Sequence, residues 1–191
     1  MIVVVCNDAG SAEIISSWIL TQNEEYLLVI EGPAVQIFSR KINNIKTHSL
    51  DNALKKADWL VTGTSIFSSL EIDAIAKSKL LNIKSVTFLD HWANYPERFV
   101  KNNNQIFPDE LWAGDSYAYN IAKKIFPNIK VIFQENAYFK SIQTASKILK
   151  SKIRYDKQNE YILYLCSPVA EHAKLIHGNE KYWGYDEHDR I

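Results

Sequence analysis

The chain has 191 residues, 47% of them hydrophobic and 23% charged, which is enough for one complete α/β domain and part of another. Its 22 basic residues balance 22 acidic residues, so the net charge does not draw the molecule to nucleic acid or to an anionic membrane. Two cysteines are too few for a disulfide framework. The sequence contains no secretory leader and no long apolar span, so we expect a cytoplasmic protein.

Strands and helices alternate along the first 150 residues. Apolar runs predict strands at residues 2–6, 26–31, near 46–48, 59–62, 85–89, 110–113 and 130–133. Helices are predicted between and after them at residues 10–20, 32–41, 50–57, 70–81, 117–125 and 137–150. Alternating βα units form a parallel sheet with helices on both faces. We therefore expect a Rossmann-like, doubly wound α/β fold of about seven strands in the order 3-2-1-4-5, extended by later strands, with the runs 2–6 and 85–89 central.

The opening unit of the chain returns near its end. Residues 2–15 (IVVVCNDAGSAEII) and 161–176 (YILYLCSPVAEHAKLI) both run from an apolar strand through a cysteine and a polar turn into a helix. This repetition predicts a Rossmann-like domain over 1–150, a linker over 151–159 and the first β-α unit of a second Rossmann-like domain over 160–191. An isolated β-α unit cannot bury its strand faces. We therefore expect the strand at 161–166 to lie outside the register of the main sheet or to pair with a second copy in a homodimer.

Polar side chains and glycines gather where the predicted strands end. Ligands of open α/β sheets bind beyond these carboxyl ends, near the point where the strand order reverses. The candidate site residues are Asp8, Gly10, Ser11 and Glu13 after the first strand, Gly63, Thr64 and Ser65 after the fourth, and Asp90, His91, Asn94 and Arg98 after the fifth. Seven of them, Asp8, Gly10, Thr64, Ser65, Asp90, His91 and Asn94, are expected to line one cleft.

His91 is the candidate general base, because imidazole is the side chain that exchanges a proton near neutral pH. Asp90 or Asp8 would orient the imidazole or bind sugar hydroxyls. The alternative is structural: His91 bonds to backbone, Asp90 caps a helix that includes residues 95–99, and Asp8 belongs to a turn.

The remaining candidates also have two interpretations each. The sequence Gly63-Thr64-Ser65 either cradles an anion at a helix start or forms a tight turn with a hydroxyl cap. Arg98 either binds a phosphate or carboxylate with two hydrogen bonds or makes a surface ion pair. Glu13 either faces the ligand or complements the dipole in the first turn of its helix.

Motifs for bound cofactors are missing from the sequence. The first turn has a single glycine in place of G-x-G-x-x-G, and the chain contains neither G-x-x-x-x-G-K-[ST] nor G-x-S-x-G. We therefore expect no NAD, no FAD and no other cofactor. His172 and His177 are five residues apart, which is off-face for two helical ligands, so no metal is expected there.

The segments CNDAGSAEII, GTS, FLDHWANYPERF and PDELWAGD resemble bacterial proteins of surface polysaccharide biosynthesis, of the GT-B glycosyltransferase class and the related nucleotide-sugar 2-epimerases. The resemblance covers most of residues 1–140 and the start of the repeated unit at 160–176. It implies an acceptor-type N-terminal domain, a donor-type second domain and catalysis in the cleft between them.

The same resemblance implies the N-terminal portion of an enzyme that transfers a sugar from a nucleotide-sugar to a carbohydrate acceptor. Asp8, Gly10, Asp90 and His91 would then lie on loops that face the cleft. The chain would lack most of the donor site and be inactive by itself. A non-catalytic Rossmann-like module that binds a ligand or a partner stays open as the alternative, because fold alone does not separate the two.

Overall fold

The computed structural model describes residues 1–152 and 168–184. The chain divides into two compact units, Met1–Lys150 and Ser151–Ile191. In the second unit the described part contains a helix over Val169–His177 that ends at Gly178, whose φ of 72° is left-handed. The predicted strand at 161–166 and most of the predicted linker lie outside the described residues.

A six-stranded parallel sheet forms the centre of the first unit. In chain order the strands of this unit are β1 (Ile2–Cys6), β2 (Tyr26–Ile30), β3 (Trp59–Thr62), β4 (Lys84–Leu89), β5 (Val100–Lys101), β6 (Asn104–Gln105), β7 (Glu110–Ala113) and β8 (Lys130–Phe133). The order across the main sheet is β2-β1-β3-β4-β7-β8, while β5 and β6 form a separate antiparallel pair.

This arrangement confirms the Rossmann-like, doubly wound prediction, with one correction to the strand count. The strand predicted near 46–48 is reduced to a single parallel bridge between Leu28 and Thr47, so the sheet has six strands rather than about seven. Lys46 and Thr47 are exposed, so this short polar piece has no apolar face to bury against the sheet. Both β1 and β4 are interior strands, as predicted from their apolar runs.

Helices cover both faces of the sheet. They are α1 (Ala9–Ile19), α2 (Gly32–Lys41), α3 (Leu50–Leu54), α4 (Leu70–Leu80), α5 (Ser116–Ile125) and α6 (Ala137–Lys152), with a 3₁₀ turn at Pro96–Phe99. Successive residues of β1 point to opposite faces: Val4 packs in the cluster of α1 and α2, and Val5 in the cluster of α3 and α4. None of the helices in the described residues combines the length and apolarity that a membrane crossing requires.

The strand order reverses between β1 and β3. The helices that follow these two strands, α1 and α4, therefore leave toward opposite faces, and the carboxyl ends of the strands border a crevice. Close packing of the two loops depends on Gly63, because a Cβ at that position would lie 2.3 Å from Ser11 Cβ.

Candidate functional site

A buried ion pair lies at the carboxyl ends of β3 and β4. Thr64 Oγ1 donates a hydrogen bond to Asp90 Oδ1 at 3.0 Å, and Arg98 Nη1 donates to Thr64 Oγ1 at 2.7 Å. The guanidinium is also 3.5 Å from Asp90 Oδ1, and the Arg98 and Asp90 side chains are only 9% and 7% exposed. Arg98 is thus not a surface residue: it balances the Asp90 carboxylate inside the protein, and its Nε is buried without a hydrogen-bond partner among the described residues.

A second contact joins the loops after β1 and β3. Ser65 Oγ donates to Asp8 Oδ1 at 2.8 Å and accepts hydrogen bonds from the backbone N–H groups of Phe67 and Ser68. Burial raises the pKa of Asp8, and the hydrogen bond from Ser65 acts against that rise. Ser65 therefore caps the turn after β3 and fixes the Asp8 side chain at the start of α1.

The Asp90 carboxylate lies against the first turn of α1. A Cβ at Gly10 would be 2.5 Å from Asp90 Oδ2, so only glycine accommodates the carboxylate at this distance. A carboxylate next to the N-terminal end of a helix is favoured by the helix dipole. The loops after β1, β3 and β4 therefore meet around Asp90.

Glu71, in the first turn of α4, is a site residue that the sequence did not reveal. Its Oε1 accepts a hydrogen bond from the backbone N–H of Asn7 at 2.6 Å, and the residue is 3% exposed. Its Oε2 is buried and has no hydrogen-bond partner among the described residues. Burial raises the pKa of Glu71 to about 7, and the backbone hydrogen bond from Asn7 acts against the rise. The charge of Asp8 raises this pKa further, while a backbone hydrogen bond from Asp8 lowers it.

Beside this cluster a cavity of about 150 Å³ opens at the same edge of the sheet. Its lining includes three carboxylates, one amide and four aromatic rings, which come from the ends of β4, β7 and β8, from the first turn of α6 and from the second turn of α1. These residues are Glu13, Asp90, His91, Trp92, Asp115, Asn136, Tyr138 and Phe139. Among the lining residues none is a lysine or an arginine.

His91 lines the cavity and is exposed. Its backbone carbonyl accepts a hydrogen bond from the Tyr95 hydroxyl, which fixes the main chain of the loop. The described contacts give the His91 ring no hydrogen bond to Asp90 or to Asp8. The Asp90 carboxylate is instead bound by Thr64 and Arg98. The Asp90 and His91 side chains therefore both follow β4 but do not form an acid–base pair in this structure.

Of the other predicted residues, Ser11 holds the loops of the site together, Glu13 lines the cavity and Asn94 lies outside it. Ser11 Oγ accepts from the backbone N–H of Thr64 at 3.2 Å, which holds α1 against the loop that contains Gly63. Glu13 lines the cavity, but it is in the second turn of α1, not the first, because the helix begins at Ala9. Asn94 is exposed with a left-handed φ of 56°. Of the seven residues expected to line one cleft, Gly10, Asp90 and His91 line the cavity, and Asp8, Thr64, Ser65 and Asn94 do not.

Glu13 is bound by cations from α2 rather than by the helix dipole. It pairs with Arg40 at 2.7 Å and with Lys41 at 2.5 Å. Lys41 Nζ also lies 4.6 Å from the centre of the Tyr138 ring, on the cavity wall.

Several cavity residues were absent from the predicted site. Asp115 and Asn136 follow β7 and β8, so the same strand-end rule identifies them once all six strands are considered. Asp115 Oδ2 accepts from Trp92 Nε1 at 3.0 Å and its other oxygen caps α5, which holds the indole at the cavity. Tyr138 and Phe139 belong to the first turn of α6 and carry no sequence signal of a ligand.

No metal centre is formed by the described residues, since no three His, Cys, Asp or Glu side chains are grouped to hold an ion. Comparisons with models of known protein families, with curated proteins and with solved structures found no match. The function must therefore be inferred from the chain's own residues.

Proposed function

We propose that this chain is the acceptor-binding, N-terminal portion of a glycosyltransferase-like enzyme of surface polysaccharide biosynthesis. The enzyme transfers a sugar from a nucleotide-sugar to a carbohydrate acceptor. The segments quoted above support the class of enzyme. The cavity at the carboxyl edge supports the assignment of the acceptor to this unit.

The lining of the cavity is the observation that carries the proposal. The carboxylates of Asp90 and Asp115 are acceptors that suit sugar hydroxyls, and the Trp92 and Tyr138 rings offer apolar surface to a sugar ring. Asn136 offers its amide NH2 group as a donor, because its oxygen already accepts the backbone N–H groups that begin α6. A volume of about 150 Å³ suits a group the size of one sugar ring. Such a mixture of aromatic rings and a few directed polar groups is typical of small-molecule sites.

The same lining disfavours a nucleotide diphosphate. No lysine or arginine lines the cavity, so a phosphate would meet no cationic partner there, and the nearby cations of Arg40, Lys41 and Arg98 are already paired with Glu13 and Asp90. The backbone donors that would bind an anion after β3 are already used, since Thr64 N–H bonds to Ser11 and the Phe67 and Ser68 N–H groups bond to Ser65. A neutral or amino sugar therefore fits this cleft better than the donor does.

His91 is the base of the proposed reaction. The acceptor hydroxyl oxygen forms a bond to the anomeric carbon of the donor sugar, and the bond from that carbon to the nucleoside diphosphate breaks. The hydroxyl proton passes to the His91 imidazole, which is exposed at the cavity mouth.

Binding to the chain itself tests the proposal. In ¹H–¹⁵N NMR spectra, neutral hexosides and amino hexosides are expected to shift the Trp92 indole resonance, and Trp92→Ala should weaken binding about tenfold. Phe67→Ala is the matched control, because Phe67 is an 82% exposed aromatic residue outside the cavity lining. Sugars that leave the Trp92 resonance unshifted, or nucleoside diphosphates that bind the cavity more tightly than sugars, would count against the proposal.

A further inference from the structure

Glu71 joins helix α4 to the loop after β1, at the point where the strand order reverses. Glu71 lies in the first turn of α4, and its Oε1 accepts a hydrogen bond of 2.6 Å from the backbone N–H of Asn7, the first residue after β1. The two residues are 64 positions apart in the chain. The second oxygen, Oε2, is buried without a partner among the described residues, so one half of the carboxyl group is free to gain or lose a proton.

The turn that Glu71 binds is the part of the site that carries Asp8 and Gly10. The carbonyl of Asn7 accepts from Ala34 N–H at 3.0 Å, and the carbonyl of Asp8 accepts from Ala12 N–H at 3.0 Å in the first turn of α1. The turn is thus fixed from α2, from α1 and from Glu71. Of these three main-chain bonds, only the one to Glu71 has a strength that depends on a proton.

We propose that Glu71 is the positioning residue of this turn, and that its loss of a proton tightens the hold on Asn7 and so aligns Asp8 and the start of α1 with the cavity. The identity of the ligand in this inference rests on the proposed function; the coupling of Glu71 to the turn does not. An ionised carboxylate accepts a shorter hydrogen bond, roughly twice as strong as a neutral carboxyl does.

The surroundings of Glu71 favour the neutral form until the solution is close to neutral. The Cys6 thiol and the Asp8 carboxylate interact electrostatically with Glu71, and Asp8 in turn interacts with Asp90 and with Arg98 of the 3₁₀ turn. Burial is the main cause that raises the pKa of Glu71 to about 7. Since this value is above the 4.5 of an exposed glutamate, the contribution of Glu71 to stability is lost as the pH rises from 4.5 to about 7.

Two NMR titrations of the wild-type chain, without ligand, test the coupling directly. The ¹³C resonance of the Glu71 carboxyl and the ¹H–¹⁵N resonance of Asn7 are expected to change with one shared midpoint near pH 7. Glu71→Gln, an uncharged isostere, should abolish the change at Asn7. His91→Ala is the control and should leave the change at Asn7 intact.

The proposal is overturned if Glu71 titrates in the range of an exposed glutamate, if Asn7 does not follow it, or if the Asn7 titration persists in Glu71→Gln. The wild-type titrations decide the matter even if the variant does not fold. A second measurement concerns the ligand: affinity for a methyl hexoside should rise about fivefold between roughly pH 6 and pH 8, and Glu71→Gln should remove that rise. If no sugar binds at either pH, the proposed function fails while the titrations still test Glu71.

Discussion

Substituting Gly10 by alanine is expected to destabilise the protein, although alanine is the better helix former. The new Cβ would be 2.5 Å from Asp90 Oδ2, a distance that van der Waals contact does not allow. Asp90 has little room to retreat, because its side chain is 7% exposed and its other oxygen is held by Thr64 at 3.0 Å and approached by Arg98 at 3.5 Å. The substitution therefore acts on the ion pair at the centre of the candidate site.

Two opposing contributions set the magnitude. Moving the carboxylate weakens a hydrogen bond to a charged group, which costs about 1.5–3 kcal/mol. Replacing glycine by alanine within a helix returns about 0.5–1 kcal/mol. Gly10→Ala should therefore lower the free energy of unfolding by about 0.5–2.5 kcal/mol, the difference between these two quantities.

A double-mutant cycle isolates the contact. In the Asp90→Ala background the carboxylate is gone, so Gly10→Ala should there raise the free energy of unfolding by the helix gain of about 0.5–1 kcal/mol. Urea denaturation followed by circular dichroism measures all four proteins. If Gly10→Ala has the same effect in both backgrounds, or stabilises the wild type, the packing of Asp90 against α1 described here is wrong.

Two further predictions concern buried polar pairs in the sheet. Burial opposes ionisation of Glu110, but hydrogen bonds from Lys130 and Lys84 outweigh it and lower its pKa. Glu110→Gln should therefore cost about 1–2 kcal/mol at neutral pH, and its difference from wild type in urea denaturation should vanish as the pH falls through the lowered pKa. Thr62 and Thr87 share a buried hydrogen bond of 2.6 Å between neighbouring strands. Thr62→Val should cost about 1–3 kcal/mol by leaving the Thr87 hydroxyl unpaired, and adding Thr87→Val should recover most of that loss in thermal unfolding; a double variant less stable than the single one would contradict this account.

The fold was predictable because its central strands are mainly apolar: β1 is apolar throughout, and β4 adds only Ser85 and Thr87 as polar residues to its buried positions. A strand covered on both faces has no alternation to display, and the runs at β1 and β4 are buried at every position except Lys84. The piece near Thr47 was the exception, because three residues between turns carry too little apolar surface to distinguish a strand from a bridge. A strand is predicted from the apolar side chains that it buries, and this segment buries almost none.

The sequence predicted where the candidate site lies, but only some of the contacts between its side chains. The strand-end rule brought the Asp8 and Asp90 loops together because topology alone decides which loops are neighbours. It did not reveal that Arg98 is buried beside Asp90, since a 3₁₀ turn 8 residues downstream gives no sign of its direction. Glu71 was hidden for the same reason: an acid in the first turn of a helix ordinarily complements the dipole in solvent.

The contact between Asp90 and α1 explains why the first turn lacks a dinucleotide motif. In dinucleotide-binding sheets, glycines let a phosphate approach the N-terminal end of the first helix. Here Gly10 serves the same close approach, but the protein's own carboxylate lies against that turn. Because the Asp90 carboxylate fills the space beside Gly10, the cavity at the carboxyl edge lies closer to β7 and β8, where Asp115 and Asn136 line it. Gly10 thus accommodates an internal carboxylate, itself paired with Arg98, at the place where this class of fold ordinarily receives an anion.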